Sequence, residues 1–310
     1  MKRALMIAAL LLGGCGVDHA GHGGGAGGTG GNGNNGNGAG NGTGGGANGG
    51  TGGGGQGCTK MDILFVVDDS GSMEEEQTNL AANFPKFIDV LNAYMTTAGA
   101  GLDYHVGLTT TSLSDGAPPI PLPIPIPVPM ADDGALRNQA SCGMTRPWIE
   151  RTDNNPAMQF SCVAKVGTDG SGHEQPLGAA KLALTDRITD GKNAGFLRPD
   201  ALLAVVILTD EDDQSDDASS NAIPVDQFIS TFDSVKGDHA KWATAVIAGP
   251  GPGQCMSAFG SAEEATRLKD FVMKTGQQAI FSSICDGDLA KSLDEALHTF
   301  QAACDSFPIG

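Results

Sequence analysis

The chain of 310 residues is strongly acidic, with 36 Asp and Glu side chains against 18 Lys and Arg and a net charge of −18 at pH 7. This charge disfavours binding to nucleic acid or to an anionic membrane surface. A strongly acidic surface instead favours solubility, the attraction of metal cations and a location outside the cytoplasm. Residues 58–310 are numerous enough to form one domain with a substantial core.

The first fifteen residues have the pattern of an export signal. A basic pair precedes the apolar run Ala4–Leu12, which is too short to span a bilayer. The run ends in LGGC, which resembles the processing site of bacterial lipoproteins, so we expect a lipid on Cys15. An ordinary secretory signal is the alternative. Residue 16 is Gly rather than Asp, which favours the outer membrane or cell surface as the location.

Residues 16–57 consist mostly of Gly with Asn, Ala and Thr. Such a composition cannot bury a core and behaves as a flexible coil. We therefore predict a tether between the lipid anchor and the folded domain over residues 58–310.

The first predicted strand ends in a group of oxygen-bearing side chains. The apolar run Ile63–Val67 lacks polar alternation, as expected for a strand buried on both faces of a parallel sheet. Asp68, Ser70 and Ser72 follow it at a D-x-S-x-S spacing. Such oxygens at the carboxyl end of a parallel strand lie where these sheets bind ligands, and they suit Mg²⁺. The alternative is a capping box in which Ser72 and Glu75 start a helix.

The segments that follow predict a helix, a strand and an insertion. The helix is expected over Ser72–Thr97, kinked or split at Pro85, and the strand over Tyr104–Thr110. Pro118–Pro129 has Pro at alternate positions, so we expect polyproline II or a sheet margin there. We interpret residues 115–169 as an extended Pro-rich insertion around a short third strand.

The second half of the chain alternates regularly between helix and strand. Apolar spacing and capping residues predict four helices, near Leu177–Ile188, Val225–Val235, Ser261–Thr275 and Asp288–Ala303. Apolar runs predict three strands, Leu202–Leu208, Trp242–Ala248 and Ala279–Ile284. The helix from Ser261 carries an apparent capping box with Glu264. We therefore predict an α/β fold with three layers, in which helices cover both faces of a doubly wound, mostly parallel sheet.

The oxygen-rich strand ends resemble the metal-ion-dependent adhesion site of von Willebrand factor type A domains. The D-x-S-x-S motif closes the first strand in that family, and Asp210 matches the Asp that ends its fourth strand. The resemblance implies that Ser70 and Ser72 contact Mg²⁺, or Mn²⁺ or Ca²⁺ in its place, while Asp68 and Asp210 hold water ligands. Glu174 stands where the family has a Thr, which implies a ligand role. Alternatively, Glu174 occupies the first turn of a helix.

The resemblance implies recognition of a protein partner whose carboxylate completes the metal coordination, and no enzymatic activity. A second hypothesis is a structural surface lipoprotein whose metal only stabilises the fold. A third is an aspartic-type hydrolase, because VVDDSGS also resembles the signature that surrounds a catalytic Asp, here Asp69. Such enzymes need two of these motifs, and this α/β sequence has no suitable second one. The acidic residues 211–217 are interpreted mainly as a solvated loop.

Seven cysteines are present, and setting Cys15 aside leaves an even set, as expected for disulfides in an exported protein. Sequence alone leaves their connectivity open. We favour three bridges, which pair Cys58 with Cys304, Cys142 with Cys162, and Cys255 with Cys285.

Overall fold

A computed structural model describes residues 57–96, 99–114, 131–258 and 260–308. The predicted signal over 1–15, its Cys15, nearly all of the tether predicted over 16–57, and Pro118–Pro129 lie outside these described residues. Among the helices of the described part, none is both long and apolar enough to cross a bilayer.

The elements of the described residues follow the predicted alternation. The strands are β1 (Lys60–Val67), β2 (Asp103–Thr110), β3 (Ile149–Glu150), β4 (Leu202–Leu208), β5 (Trp242–Ala248), β6 (Cys255–Ser257), β7 (Gly260–Ala262) and β8 (Ala279–Ser283). The helices are α1 (Glu74–Ala93), α2 (Pro156–Val163), α3 (Pro176–Leu184), α4 (Asp186–Thr189), α5 (Val225–Lys236), α6 (Thr266–Thr275) and α7 (Leu289–Asp305). Of these, α2 and the β6–β7 hairpin were not predicted.

The central sheet has the strand order β3-β2-β1-β4-β5-β8. Its strands are parallel except for the short edge strand β3, which is antiparallel to β2. Val67 at the end of β1 is level with Thr110 on one side and with Leu208 on the other. The carboxyl ends of three neighbouring strands therefore meet at one edge of the sheet, and the predicted α/β fold is confirmed.

Both faces of the sheet are covered, which explains the unbroken apolar runs of the strands. In β1, Phe65 faces one core with the apolar side chains of α1, α2 and α7. Leu64 and Val66 face the other core with those of α3, α5 and α6. Because alternate side chains of β1 enter two different cores, the strand has no solvent-facing side to make polar.

Helix α1 runs without interruption across Pro85, so the helix is not split there. Proline has no N–H to donate to the carbonyl four residues earlier, which here belongs to Ala81. The hydroxyl of Ser161 in α2 donates to that carbonyl instead, at 2.7 Å. A side chain from a distant segment thus replaces the missing bond of the helix.

The predicted capping box at Ser261 is also wrong, because Ser261 lies in β7 and α6 begins at Thr266. The carboxylate of Asp212 caps α6 by accepting the backbone N–H of Arg267 at 2.9 Å. Asp213 is buried and pairs with the Arg267 guanidinium at 2.7 Å. The acidic loop 211–217 is therefore partly structural, although only Asp213 and Ser215 in it are buried.

The three predicted disulfides are all present. The Cα–Cα distances are 4.8 Å for Cys58–Cys304, 5.6 Å for Cys142–Cys162 and 6.2 Å for Cys255–Cys285. The first bridge joins the beginning and the end of the described domain, where the Cys58 N–H also donates to the Cys304 carbonyl at 2.7 Å.

Candidate metal centre

The candidate site lies where β1, β2 and β4 end side by side. Asp68 follows β1, Thr111 follows β2 and Thr209 follows β4. The sheet ladder continues one residue beyond the strands, since Asp68 N donates to the Leu208 carbonyl at 3.0 Å and Thr111 N to the Val67 carbonyl at 3.3 Å. Parallel pairing thus fixes the relative positions of the three side chains.

The Asp68 carboxylate organises the turn after β1. One oxygen accepts the Ser70 N–H at 2.8 Å, and the other accepts the Thr209 hydroxyl at 2.6 Å. The turn brings the Ser70 and Ser72 hydroxyls within 3.1 Å of each other. Ser72 does not cap α1, because the residue at the helix start, Met73, has no side-chain capping bond. The two hydroxyls therefore lie side by side on the turn and do not cap the helix.

Glu174 is fully buried and reaches the same strand ends. Its Oε2 accepts a short hydrogen bond from the Thr111 hydroxyl, while its Oε1 has no hydrogen-bond partner. Helix α3 begins at Pro176, with Gln175 as the residue before it. Glu174 therefore precedes the helix, and the alternative that placed it in the first helical turn is wrong.

Asp210 completes the set of predicted residues. Its side chain is 4 % exposed, and its Oδ1 has no hydrogen-bond partner. Its backbone carbonyl accepts the Glu263 N–H at 2.8 Å, which ties the end of the β6–β7 hairpin to the site. The structure therefore places all five predicted residues around the carboxyl ends of β1 and β4.

Asp69, the candidate for a hydrolase, connects three loops. Its Oδ1 accepts the Ser112 hydroxyl at 2.7 Å, and its carbonyl accepts the Gly170 N–H at 2.8 Å. Ser112 Oγ in turn accepts the Ser171 N–H at 2.8 Å. A Cβ at Gly170 would collide with Asp69, so this approach requires glycine. Asp69 thereby fixes the loop that carries Glu174.

Sequence reasoning missed several residues that support the site. Thr111 and Ser112 are the last two residues of the run TTTS, which begins in β2. Hydroxyl side chains directly after a strand could have indicated from the sequence that they lie at the site. Gln77 donates to the carbonyls of Asp68 at 3.0 Å and Gly167 at 2.8 Å. Nothing in the sequence distinguishes this glutamine, since its role depends on a loop ninety residues away.

Five carboxylates are buried near these strand ends without a basic partner. Asp68, Asp69, Glu76, Glu174 and Asp210 are each at most 4 % exposed, and none forms an ion pair within the described residues. Buried carboxylates elsewhere in the domain do have such partners, as in the pairs of Asp62 with Arg198 and Asp213 with Arg267. Uncompensated buried charge is costly, so this cluster needs cations or protons.

The pKa values of the cluster reflect that cost. Burial raises the pKa of Glu174 to about 9, and the Asp68 carboxylate adds to the increase. Burial likewise raises the pKa of Glu76 to about 7, with Asp210 among the negative neighbours. It raises the pKa of Asp210 to about 6, although the adjacent Ser72 hydroxyl lowers it. Each of these carboxyls holds its proton more tightly in the folded chain.

The donor set fits a hard divalent cation. Within the described residues, no group of three or more His, Cys, Asp or Glu side chains is arranged to hold an ion by itself. The site implied by the resemblance is different, since two hydroxyls bind directly and Asp68 and Asp210 act through water. Mg²⁺ prefers this combination of few protein oxygens and several waters. The unpartnered oxygens of Glu174 and Asp210 are the positions that such an ion would satisfy.

The metal-free protein is expected to lose stability as the pH rises. A carboxyl with a higher pKa in the folded than in the unfolded chain binds protons preferentially when folded. The stabilisation from such a carboxyl is complete below its ordinary pKa, which is 4.5 for Glu and 3.8 for Asp. It is lost as the pH rises through the raised pKa of the folded chain. The midpoint of thermal unfolding in EDTA should fall by about 5 °C or more between roughly pH 5 and pH 8.

Calorimetry with and without Mg²⁺ checks this expectation. The stabilisation by Mg²⁺ should be larger at the higher pH, and Glu174→Gln should flatten the pH dependence of the metal-free chain. A metal-free protein that unfolds at a higher temperature at pH 8 than at pH 5 would contradict the prediction.

No model of a known protein family and no curated protein matches this sequence. Similar solved structures include proximal thread matrix protein 1 from the mussel byssus, with a TM-score of 0.43 and 12% identity over 79% of this chain and 49% of that chain. Another is the pilus adhesin SpaC from Lactobacillus rhamnosus GG, with a TM-score of 0.36 and 11% identity over 80% of this chain and 31% of that chain. The chain thus spans half or less of these proteins, and likenesses at these scores carry no functional conclusion.

Proposed function

We propose that this protein is a lipid-tethered recognition module that binds a protein partner through a hard divalent cation. The observation that carries the proposal is the convergence of the D-x-S-x-S turn, Glu174 and Asp210 at adjoining strand ends, with buried carboxylate oxygens that lack partners. Mg²⁺ is the expected ion, with Mn²⁺ or Ca²⁺ as substitutes. The role is binding and not catalysis.

Each residue has a definite part in this proposal. Ser70 and Ser72 would bind the ion directly, while Asp68 and Asp210 would hold its waters and balance its charge. Glu174 would add a carboxylate where von Willebrand factor type A domains have a Thr hydroxyl, so the metal site would be less electropositive. The bound ion would supply a Lewis-acidic position for one carboxylate oxygen of the partner. The extra negative charge of Glu174 favours tighter metal binding and weaker attraction of an acidic partner.

The exposed side of the turn supports access by a partner. Gly71 and Ser72 are exposed, and a Cβ at Gly71 would meet no atom within 4 Å. The chain has a net charge of −18, so an acidic partner group would be repelled without a cation at this point. The metal would therefore determine where on this surface a carboxylate can bind.

The proposed location is the outer membrane or the cell surface. The three disulfides support an oxidising compartment. The lipid on Cys15 would be the contact with the membrane, and residues 16–57 would separate the domain from it. The domain itself is proposed to bind neither membrane nor nucleic acid, because of its acidic charge.

Cross-linking on intact cells tests the proposal. Cells that carry the full chain are cross-linked in Mg²⁺ and in EDTA, and the cross-linked partners are compared. We expect a partner that is lost in EDTA and lost with Ser70→Ala, but retained with Ser230→Ala, which removes an exposed hydroxyl from α5. Recognition through the metal would be refuted if the same partners were cross-linked to the native chain in Mg²⁺, to the native chain in EDTA, and to the Ser70→Ala and Ser230→Ala variants in Mg²⁺. If the purified chain still binds Mg²⁺ in that case, the structural role of the metal is the better account.

A further inference from the structure

A groove along α3 lies beside the candidate metal centre but contains none of the residues proposed to hold the ion. It consists of two adjoining parts of about 470 Å³ and 430 Å³. The two parts form one continuous groove, because they share the lining residues Leu113, Gln175, Leu182, Asp216 and Asp217.

Backbone hydrogen bonds connect the groove to the candidate metal centre. Gln175, which lines the groove, directly follows Glu174, and its N–H donates to the Thr111 carbonyl at 3.3 Å. The Glu174 carbonyl accepts the Gln214 N–H at 2.7 Å, which holds the loop that continues to Asp216. The groove and the metal centre are therefore neighbouring parts of one surface.

Three carboxylates line the larger part of the groove, those of Asp133, Asp216 and Asp217. The Asp133 carboxylate accepts the N–H and the hydroxyl of Ser114, at 2.5 Å and 2.7 Å. The Asp217 carboxylate accepts the Ser219 N–H at 2.8 Å. Within the described residues, none of the three forms an ion pair with Lys, Arg or His. Neutral donors thus position two of these charges, and no basic side chain neutralises them.

The walls of the groove beside these carboxylates are apolar. Leu113 and Leu182 line both parts, and Ile223 lines the smaller part. Lys181 lines only the smaller part, so the larger part is the more negative. Lys and Arg combine a methylene stem, which packs on apolar surface, with a cationic head that binds carboxylates. The groove therefore complements a basic side chain better than an acidic or a purely apolar one.

The parts of the chain outside the described residues do not supply such a side chain. Lys2 and Arg3 belong to the predicted export signal. Neither Lys nor Arg occurs in the remaining ranges, which are 16–56, 97–98, 115–130, 259 and 309–310. The stretch that follows Ser114 at the groove therefore adds no positive charge to it. A basic side chain in this groove would come from another molecule.

We propose that the groove binds a Lys or Arg side chain of the partner, beside the partner carboxylate that binds the metal. The inference rests on the proposed function and specifies its partner as a protein segment with both an acidic and a basic residue. The ion binds the acidic residue, and the groove carboxylates bind the cationic head of the basic one. A segment with a carboxylate alone makes only the first contact, so the groove adds selectivity.

A probe without a carboxylate tests the groove separately from the metal. The full chain in detergent, labelled at its Leu and Ile methyl groups, is titrated in EDTA with N-acetylarginine amide. The matched control is N-acetylcitrulline amide, which has nearly the same shape without the charge. We expect only the arginine probe to shift the methyl resonances of Leu113, Leu182 and Ile223.

Two double variants assign this effect to the groove. Asp133→Asn with Asp216→Asn removes two groove charges but keeps a hydrogen-bond acceptor at each position, and it should abolish the shifts. Asp89→Asn with Asp294→Asn removes two exposed carboxylates from α1 and α7. This second variant changes the net charge equally and should retain the shifts.

Peptides test whether the groove and the metal act together. Each peptide has one Glu in a Gly/Ser background and one Arg, placed at a different distance from the Glu in each member of the set. A second set has citrulline in place of Arg. In Mg²⁺, the best Arg peptide should bind the native chain about 10-fold more tightly than its citrulline counterpart. The gain should vanish in the variant with Asp133→Asn and Asp216→Asn, and EDTA should abolish binding of both peptides.

The outcomes separate the two proposals. Equal shifts with the arginine and citrulline probes overturn the groove site, and this comparison on the native chain decides the question even if a variant fails to fold. A gain from Arg that survives Asp133→Asn with Asp216→Asn also overturns it. Glu peptides that bind only in Mg²⁺, with no gain from Arg, leave the proposed function standing alone. If the arginine probe binds the groove but no Glu peptide binds more tightly in Mg²⁺ than in EDTA, the proposed function and the shared partner are refuted.

Discussion

Asp68→Ala is expected to lower the affinity of the protein for Mg²⁺ by about 100-fold. The two oxygens of Asp68 hold the Ser70 N–H and the Thr209 hydroxyl, so the substitution releases the turn from β4. It also removes a negative charge that would balance the proposed ion. The loss therefore combines lost electrostatic attraction with lost positioning of the Ser70 and Ser72 hydroxyls. Isothermal titration with Mg²⁺ measures the effect.

Two further variants separate these causes. Asp68→Asn keeps an acceptor for one hydrogen bond but removes the charge, so it should lose affinity without loosening the turn as much. Asp89→Asn removes an exposed carboxylate from α1 and should leave the dissociation constant unchanged. Equal affinity for the native chain and Asp68→Ala would show that Asp68 has no part in a metal site.

Loss of the Cys58–Cys304 bridge is expected to cost about 5 kcal/mol of unfolding free energy in the chain-entropy model. The bridge closes a loop with a sequence separation of 246, so it restricts most of the unfolded chain. Replacing both cysteines by Ser should lower the midpoint of thermal unfolding by roughly 10–20 °C. Serine replacement of Cys142 and Cys162, with a separation of 20, should cost only about 3 kcal/mol.

Thermal and denaturant unfolding of the two double-Ser variants tests whether loss of the Cys58–Cys304 bridge lowers the free energy of unfolding more than loss of the Cys142–Cys162 bridge. The Cys58–Cys304 bridge also lies beside β1, which begins at Lys60 and leads to Asp68. A larger loss of stability from the shorter loop would contradict the entropic account.

The sequence alone was sufficient for the features that depend on local pattern. Predominantly apolar runs predicted β1, β4 and β5, because strands buried on both faces carry mostly apolar side chains. Asp68 and Asp210 follow β1 and β4 at the same edge of the sheet, as expected because parallel strands bring their carboxyl ends together. The even number of cysteines predicted disulfides, but which cysteines pair was decided by the tertiary structure.

Only the tertiary structure decided which polar groups find distant partners. Helix α1 crosses Pro85 because Ser161 supplies the missing hydrogen bond, and Asp212 caps a helix more than fifty residues away. Glu174 was placed at the site by a resemblance, but its burial and its bond to Thr111 depend on how the loop after residue 170 folds against Asp69. Local sequence determines periodicity and strand ends, whereas these contacts arise only when segments far apart in the chain are packed together.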